Sequence, residues 1–280
     1  MLRVFSILAL LLDVLLQVNG FLSNCKISIK THLSMKQETI VVTGLGVISS
    51  VGVKHDIFYQ NLKDGVSGIQ KVDRFDVSQF KCQIAGQVNN FDPKTYYNSK
   101  KKIKQNDLSC HYAVAASHEA LADAGLKLDS SLGIDPTRVG VIIGSAFGGM
   151  ESFERAALDL NQYGANSVGP YTIPMILGNT AAGIVAMETG AKGPNFGVQT
   201  ACATATHALG EALRLMRNGD ADVMLAGGCE APLTPLSFAG FINLMVCILV
   251  CIIVYLVCIC YNYHIIYYVY HNIYSTMYVS

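Results

Sequence analysis

The chain predicts an α/β fold, in which short strands alternate with helices along the sequence. Three observations carry this. Val139 to Ile143 is continuously apolar, as expected of a strand covered on both faces. Ala113, Ala116, Ala120, Leu121 and Ala124 recur at helical spacing. A second helical stripe, Ala205, Ala208, Leu209, Ala212, Leu213 and Met216, leads into a largely apolar stretch at Asp222 to Ala226.

Taken in order, Thr39 to Thr43 reads as a first strand. Asp56 to Lys63 reads as a short helix closed by Asp64-Gly65. Phe80 to Asp92 is a strand-and-loop region. Ser109 to Ala124 is a helix that Gly125 ends. Val139 to Ile143 is a strand, and Pro174 to Glu188 is a second helix. Ala203 to Asn218 is a third, with Glu211, Arg214 and Arg217 facing away from its apolar stripe. Asp222 to Ala226 returns as a buried strand. No short-period repeat is present.

The two ends differ from this body. Met1-Leu2-Arg3 is a short basic start, followed by a mostly apolar stretch interrupted by Asp13 and a small residue near Gly20. Phe21 to Gln37 carries Lys26, Lys30, Lys36 and hydroxyl residues but no acid, as transit peptides do. Residues 1–37 therefore read as a leader, and residues 38–241 as the body. After Glu230 no Asp, Glu, Lys or Arg occurs. Within residues 242–280, the apolar run 242–260 is long enough to cross a membrane. The Tyr-, Ile- and Asn-rich sequence beyond it has the composition of translated non-coding DNA. A membrane helix and an intron read-through both stay open.

The 280 residues balance acidic against basic side chains, which argues against a nucleic-acid surface. The cysteines form neither a disulfide pattern nor a zinc-ligand spacing, so a reducing compartment and no metal are expected. Gly144 to Gly149 lacks the lysine of a phosphate loop.

Cys202 is the principal candidate for chemistry. A glycine-bounded apolar stretch reaches it and a helical pattern begins there. A side chain on such a turn sits over a helix N-terminus, which favours thiolate and can bind an oxyanion. A small buried hydrophobe fits the same spacing. His207, five residues on along the same helix, points away from Cys202. Lys94 and the run Lys100-Lys101-Lys102-Ile103-Lys104 are either a docking patch or a solvated loop.

Val198 to Gly210, followed by Gly219 to Glu230, resembles the active-site region of the β-ketoacyl-acyl-carrier-protein synthases. Ile40 to Gly52 is similar to that family's first strand and loop, and Arg138 to Gly149 to its glycine-rich pocket loop. The match runs from about Ile40 to about Phe241.

The resemblance implies the N-terminal half of a layered, thiolase-like αβαβα fold. It implies that Cys202 takes an acyl group from the phosphopantetheine arm of acyl carrier protein. Decarboxylative Claisen condensation with malonyl-carrier protein would follow. Phe147 corresponds to a position that lines and gates the acyl pocket, although ordinary core packing fits it too. The family's assisting histidines and lysine belong to its C-terminal half, which the resemblance does not reach, so condensation by this chain alone is not expected. No cofactor is implied beyond the carrier's arm. Tyr171 to Pro174 matches a segment that reaches the partner in the family's homodimers. Cys229 and Glu230 read as structural. The leader then implies a secondary plastid, or alternatively a mitochondrion. A membrane-anchored, non-catalytic fragment is the competing function.

Overall fold

A strand covered on both faces needs apolar side chains on both sides, and two strands of this chain supply them. A computed structural model describes residues 39–128 and 134–244, and the backbone of 253–261. In β4 (Val139–Gly144) and β6 (Val223–Gly228) every residue is buried. Val139, Val141, Ile143, Val223 and Leu225 face one helical layer, whereas Ile142, Met224 and Ala226 face the other. The period-two alternation thus divides two cores between the sheet faces.

Among the described residues the main sheet has five strands in the order β1-β7-β6-β4-β5. β1 is Ile40–Ser49, β5 is Asn195–Phe196 and β7 is Ile253–Tyr261. β4 pairs in parallel with β5 and β6, and β7 runs antiparallel to both β6 and β1. β2 (Ile69–Lys71) and β3 (Ile84–Gly86) form a separate antiparallel pair.

Helix α1 (His55–Lys63) follows β1. The short α2 (Lys100–Lys104) precedes α3 (Leu108–Asp123), which lies over β1. The approach of α3 to β1 is backbone on backbone: a Cβ on Gly44 or Gly46 would collide with the carbonyls of Ala120 and Ala116. Three alanines of α3 at the contact, Ala113, Ala116 and Ala120, are wholly buried. On the other face α7 (Thr204–Arg217) packs Ala208, Ala212, Leu215 and Met216 onto the sheet. Leu215 therefore takes a core place that the helical stripe assigned to Leu213.

Several boundaries differ from the sequence reading. β1 continues to Ser49, well past Thr43, because Val47 and Ile48 extend its buried face. The single helix expected over 174–188 is two, α5 (Thr172–Ile176) and α6 (Thr180–Thr189), because the backbone is extended at Leu177. The α4 helix (Met150–Tyr163) was not anticipated, and its large apolar residues Phe153, Leu158 and Leu160 are exposed rather than buried.

Of the two readings open for residues 242–260, the membrane-spanning helix is not what the described part forms. Helix α8 (Pro235–Asn243) ends there, and residues 253–261 form β7 inside the sheet. Among the described residues no helix is long and apolar enough to cross a membrane. The leader, residues 1–37, lies outside the described residues, as does the sequence beyond Tyr261.

Candidate active site

Two segments meet at the ends of β4 and β5. One is the turn 197–203, which leaves β5 and enters α7. The other is the loop 145–149, which leaves β4 and enters α4. Their contact is close: a Cβ on Gly144 would run into the Thr204 side chain and the Val198 carbonyl. Thr204 is buried and begins α7.

The turn has the shape its sequence predicted. Residues 201–203 form one tight turn ahead of α7. Ala201 has φ +50, a left-handed backbone that a side chain normally avoids. Strain of this kind persists only where the surroundings impose it. Here the Thr200 N–H donates to Thr204 Oγ1 at 2.8 Å, and the Ala203 N–H donates to the Thr200 carbonyl at 3.1 Å. Cys202 follows Ala201 and is exposed. The buried-hydrophobe alternative does not describe it. It lies two residues before the 14-residue α7, whose first N–H groups lack intrahelical acceptors.

Two of the other described cysteines are buried. Burial pushes the Cys110 thiol up to about 12, and Cys229, also buried, well above its ordinary range. Such thiols are poor sources of thiolate. His207 is on the solvent face of α7, with Nδ1 2.7 Å from Thr200 Oγ1. Its partner is a side chain of the same turn that carries Cys202, a contact that the helical spacing alone did not indicate. His111 is buried beside Tyr97, with Nδ1 3.2 Å from the phenol oxygen, and burial lowers its pKa.

Phe147 lies at the tip of the second loop. It is 46% exposed. Its ring meets Phe241 edge-on, with centroids 6.1 Å apart. A buried carboxylate, Asp107, and a half-buried one, Glu230, hold the loop at its two ends. Asp107 caps α3 by accepting from the Ser109 N–H at 3.0 Å, and with its other oxygen accepts from the Ser152 N–H and hydroxyl at 3.0 and 2.7 Å. Glu230 accepts from the Ala146 N–H at 2.7 Å and the Phe147 N–H at 3.2 Å. Sequence reasoning missed this contact; its one signal was a lone acid directly after an apolar strand.

Of the lysines, Lys94, Lys100, Lys101 and Lys104 are exposed, while Lys102 pairs with Glu188 at 2.8 Å.

Comparison with known proteins fits this geometry. Residues 37–248 match the family described as β-ketoacyl synthase, N-terminal domain. A 3-oxoacyl-[acyl-carrier-protein] synthase 2 of Synechocystis is 40% identical over 208 residues, 74% of this chain and 49% of that protein. One from Staphylococcus aureus is 39% identical over 206 residues, again 74% and 49%. The chain thus spans about half the length of these relatives. Among solved structures, the ishigamide ketosynthase/chain length factor has a TM-score of 0.72 at 23% identity, over 80% of this chain and 59% of that one. A β-ketoacyl synthase from Burkholderia phymatum has 0.69 at 24%, over the same shares. A type II polyketide acyl-carrier protein in complex with its ketosynthase has 0.68 at 21%, over 80% and 63%. These structures share the ketosynthase fold, and the chain belongs to the β-ketoacyl synthase family, whose N-terminal domain it contains.

Proposed function

We propose that this chain carries the acyl-accepting site of a 3-oxoacyl-[acyl-carrier-protein] synthase of fatty-acid synthesis, with Cys202 as nucleophile. The observation that carries the reading is the exposed Cys202 on a strained turn at the N-terminus of α7. The names of the two relatives quoted above support it.

In the first half-reaction the Cys202 Sγ attacks the thioester carbonyl of an acyl group on the carrier's arm. The bond to the pantetheine sulfur breaks, and that sulfur leaves as a thiol. The oxyanion formed on the way is stabilised by backbone N–H groups at the start of α7. In the second, malonyl-carrier protein loses CO₂ and its enolate carbon attacks the Cys202 thioester. A carbon–carbon bond forms, the bond to Sγ breaks, and the product is two carbons longer. The groups that assist decarboxylation belong to the family's other half.

The reading extends to partners and place. Exposed Lys100, Lys101 and Lys104 supply a basic face for an acidic carrier protein. Exposed Phe153, Leu160, Tyr163, Tyr171 and Ile173 on and beside α4 and α5 support a homodimer. The leader composition supports import into a plastid, which a fluorescent fusion to residues 1–37 tests.

The test of the function is acyl capture. Incubation with acyl-carrier protein should add one acyl mass to the chain, on the peptide containing Cys202, and Cys202→Ala should abolish it. Acyl transfer that survives this substitution would remove Cys202 from the role.

A further inference from the structure

The loop that carries Phe147 has an anchor that the acyl-transfer chemistry does not use. Glu230 lies two residues beyond β6, next to Cys229, whose N–H donates to the Gly144 carbonyl at 2.9 Å. One Glu230 oxygen, Oε2, accepts from the N–H groups of both Ala146 and Phe147. The other, Oε1, accepts from the Ser145 hydroxyl at 3.2 Å. The Ser145 oxygen in turn accepts from the Gly148 N–H at 2.8 Å. One side chain therefore organises four consecutive loop residues, 145 to 148.

Packing does not hold this loop tip by itself, because nearly half of the Phe147 side chain is exposed. A sheet end requires no acid, and burying a carboxyl group is costly unless hydrogen bonds offset it. Here the loop's N–H groups turn inward to supply them. The carboxylate and the loop conformation therefore require each other.

We propose that Glu230 is a positioning residue, which fixes the depth of Phe147 and so the length of acyl chain that Cys202 accepts. This rests on the acyl-transfer reading above.

The test offers short-, medium- and long-chain acyl-carrier protein to the full chain, and follows the mass of the Cys202 peptide with time. Glu230→Ala should change the ratio of long- to short-chain capture by roughly tenfold, the scale of one or two lost hydrogen bonds. Glu230→Gln should restore the ratio. Its amide oxygen still accepts from both N–H groups, and its NH₂ donates to Ser145 Oγ.

A second readout does not depend on acyl transfer. The chain contains no tryptophan, so Phe147→Trp creates a single reporter at the loop tip. Adding Glu230→Ala should shift its emission to the red and raise quenching by acrylamide; adding Glu230→Gln should do neither. If the unmodified chain captures no acyl group, the acyl-transfer reading fails and the tryptophan readout alone decides whether Glu230 positions the loop. If capture proceeds with the same chain-length ratio in Glu230→Ala, the inference is overturned. Where Glu230→Ala does not fold, Glu230→Asp, one methylene shorter, must move the ratio, and an unmoved ratio overturns the inference equally.

Discussion

His207 and Thr200 close the turn that presents Cys202: the imidazole Nδ1 lies 2.7 Å from the threonine hydroxyl, seven residues back along the chain. Cys202 and the positive-φ Ala201 lie between them. A histidine that could be taken for a general base is therefore a clasp on the Thr200 side chain.

Removing the clasp should loosen the turn without touching sulfur. His207→Ala is expected to lower stability by about 1 kcal/mol, the net worth of one hydrogen bond. It should also slow acyl capture by Cys202. Thr200→Val should reproduce both effects, and the double variant should add little, because each single change already breaks the same contact. Urea unfolding and timed mass spectrometry check this. Additive effects of the two substitutions would mean that the contact does not hold the turn.

Glu230 gives a pH dependence of definite sign. Burial raises its carboxyl from the ordinary 4.5 to about 7, partly opposed by the N–H groups of Ala146 and Phe147 and the Ser145 hydroxyl. The folded chain then holds a proton that the unfolded chain has already released between those two values. The stabilisation from this group is full below about pH 4.5 and is lost as pH rises through about 7. The shift corresponds to about 3 kcal/mol. Glu230→Gln cannot titrate, so its stability relative to the unsubstituted chain should rise by about that amount between pH 4.5 and pH 8. Parallel stability-against-pH curves for the two would contradict the assignment.

Gly44 and Gly46 test the packing of β1 beneath α3. Alanine at either position would press a methyl group into a backbone carbonyl of α3, which no rotamer change relieves. Gly46→Ala should cost about 3 kcal/mol, at the upper end of overpacking effects. Gly210→Ala, at a helical glycine with open space around its Cβ position, should be neutral or stabilising. Thermal melts of the two variants separate close approach from glycine content.

Much of this was legible because local chemistry and tertiary role coincide. The apolar runs at 139–143 and 223–226 are buried on both faces and became β4 and β6. The alanine spacing at 113–120 is the face of α3 that meets β1. The Cys202 turn declared itself by small residues ahead of a helical stripe. What stayed hidden depends on distant partners. α4 keeps its apolar residues outside, so no core stripe marked it. Glu230 acts on a loop more than 80 residues earlier, and no local pattern reports a contact of that span. The tail stayed ambiguous because uniform apolarity suits a membrane helix and a central strand equally.

That ambiguity yields the last prediction. Among the described residues β1 pairs with no strand of the sheet except β7, which bridges it to β6. Val257 stands opposite Leu45 on one side and Ala226 on the other. Proline there would remove a ladder donor from the middle of the sheet and clash with its neighbours, a change tolerated at edges only. Val257→Pro should cost about 3 kcal/mol or more, and β1 amides should lose protection from hydrogen exchange together with those of β6. A tail outside the fold would tolerate the same proline. An unchanged melting temperature in Val257→Pro would return residues 253–261 to the membrane or read-through readings. A loss of protection in both β1 and β6 would establish them as the strand that joins the sheet.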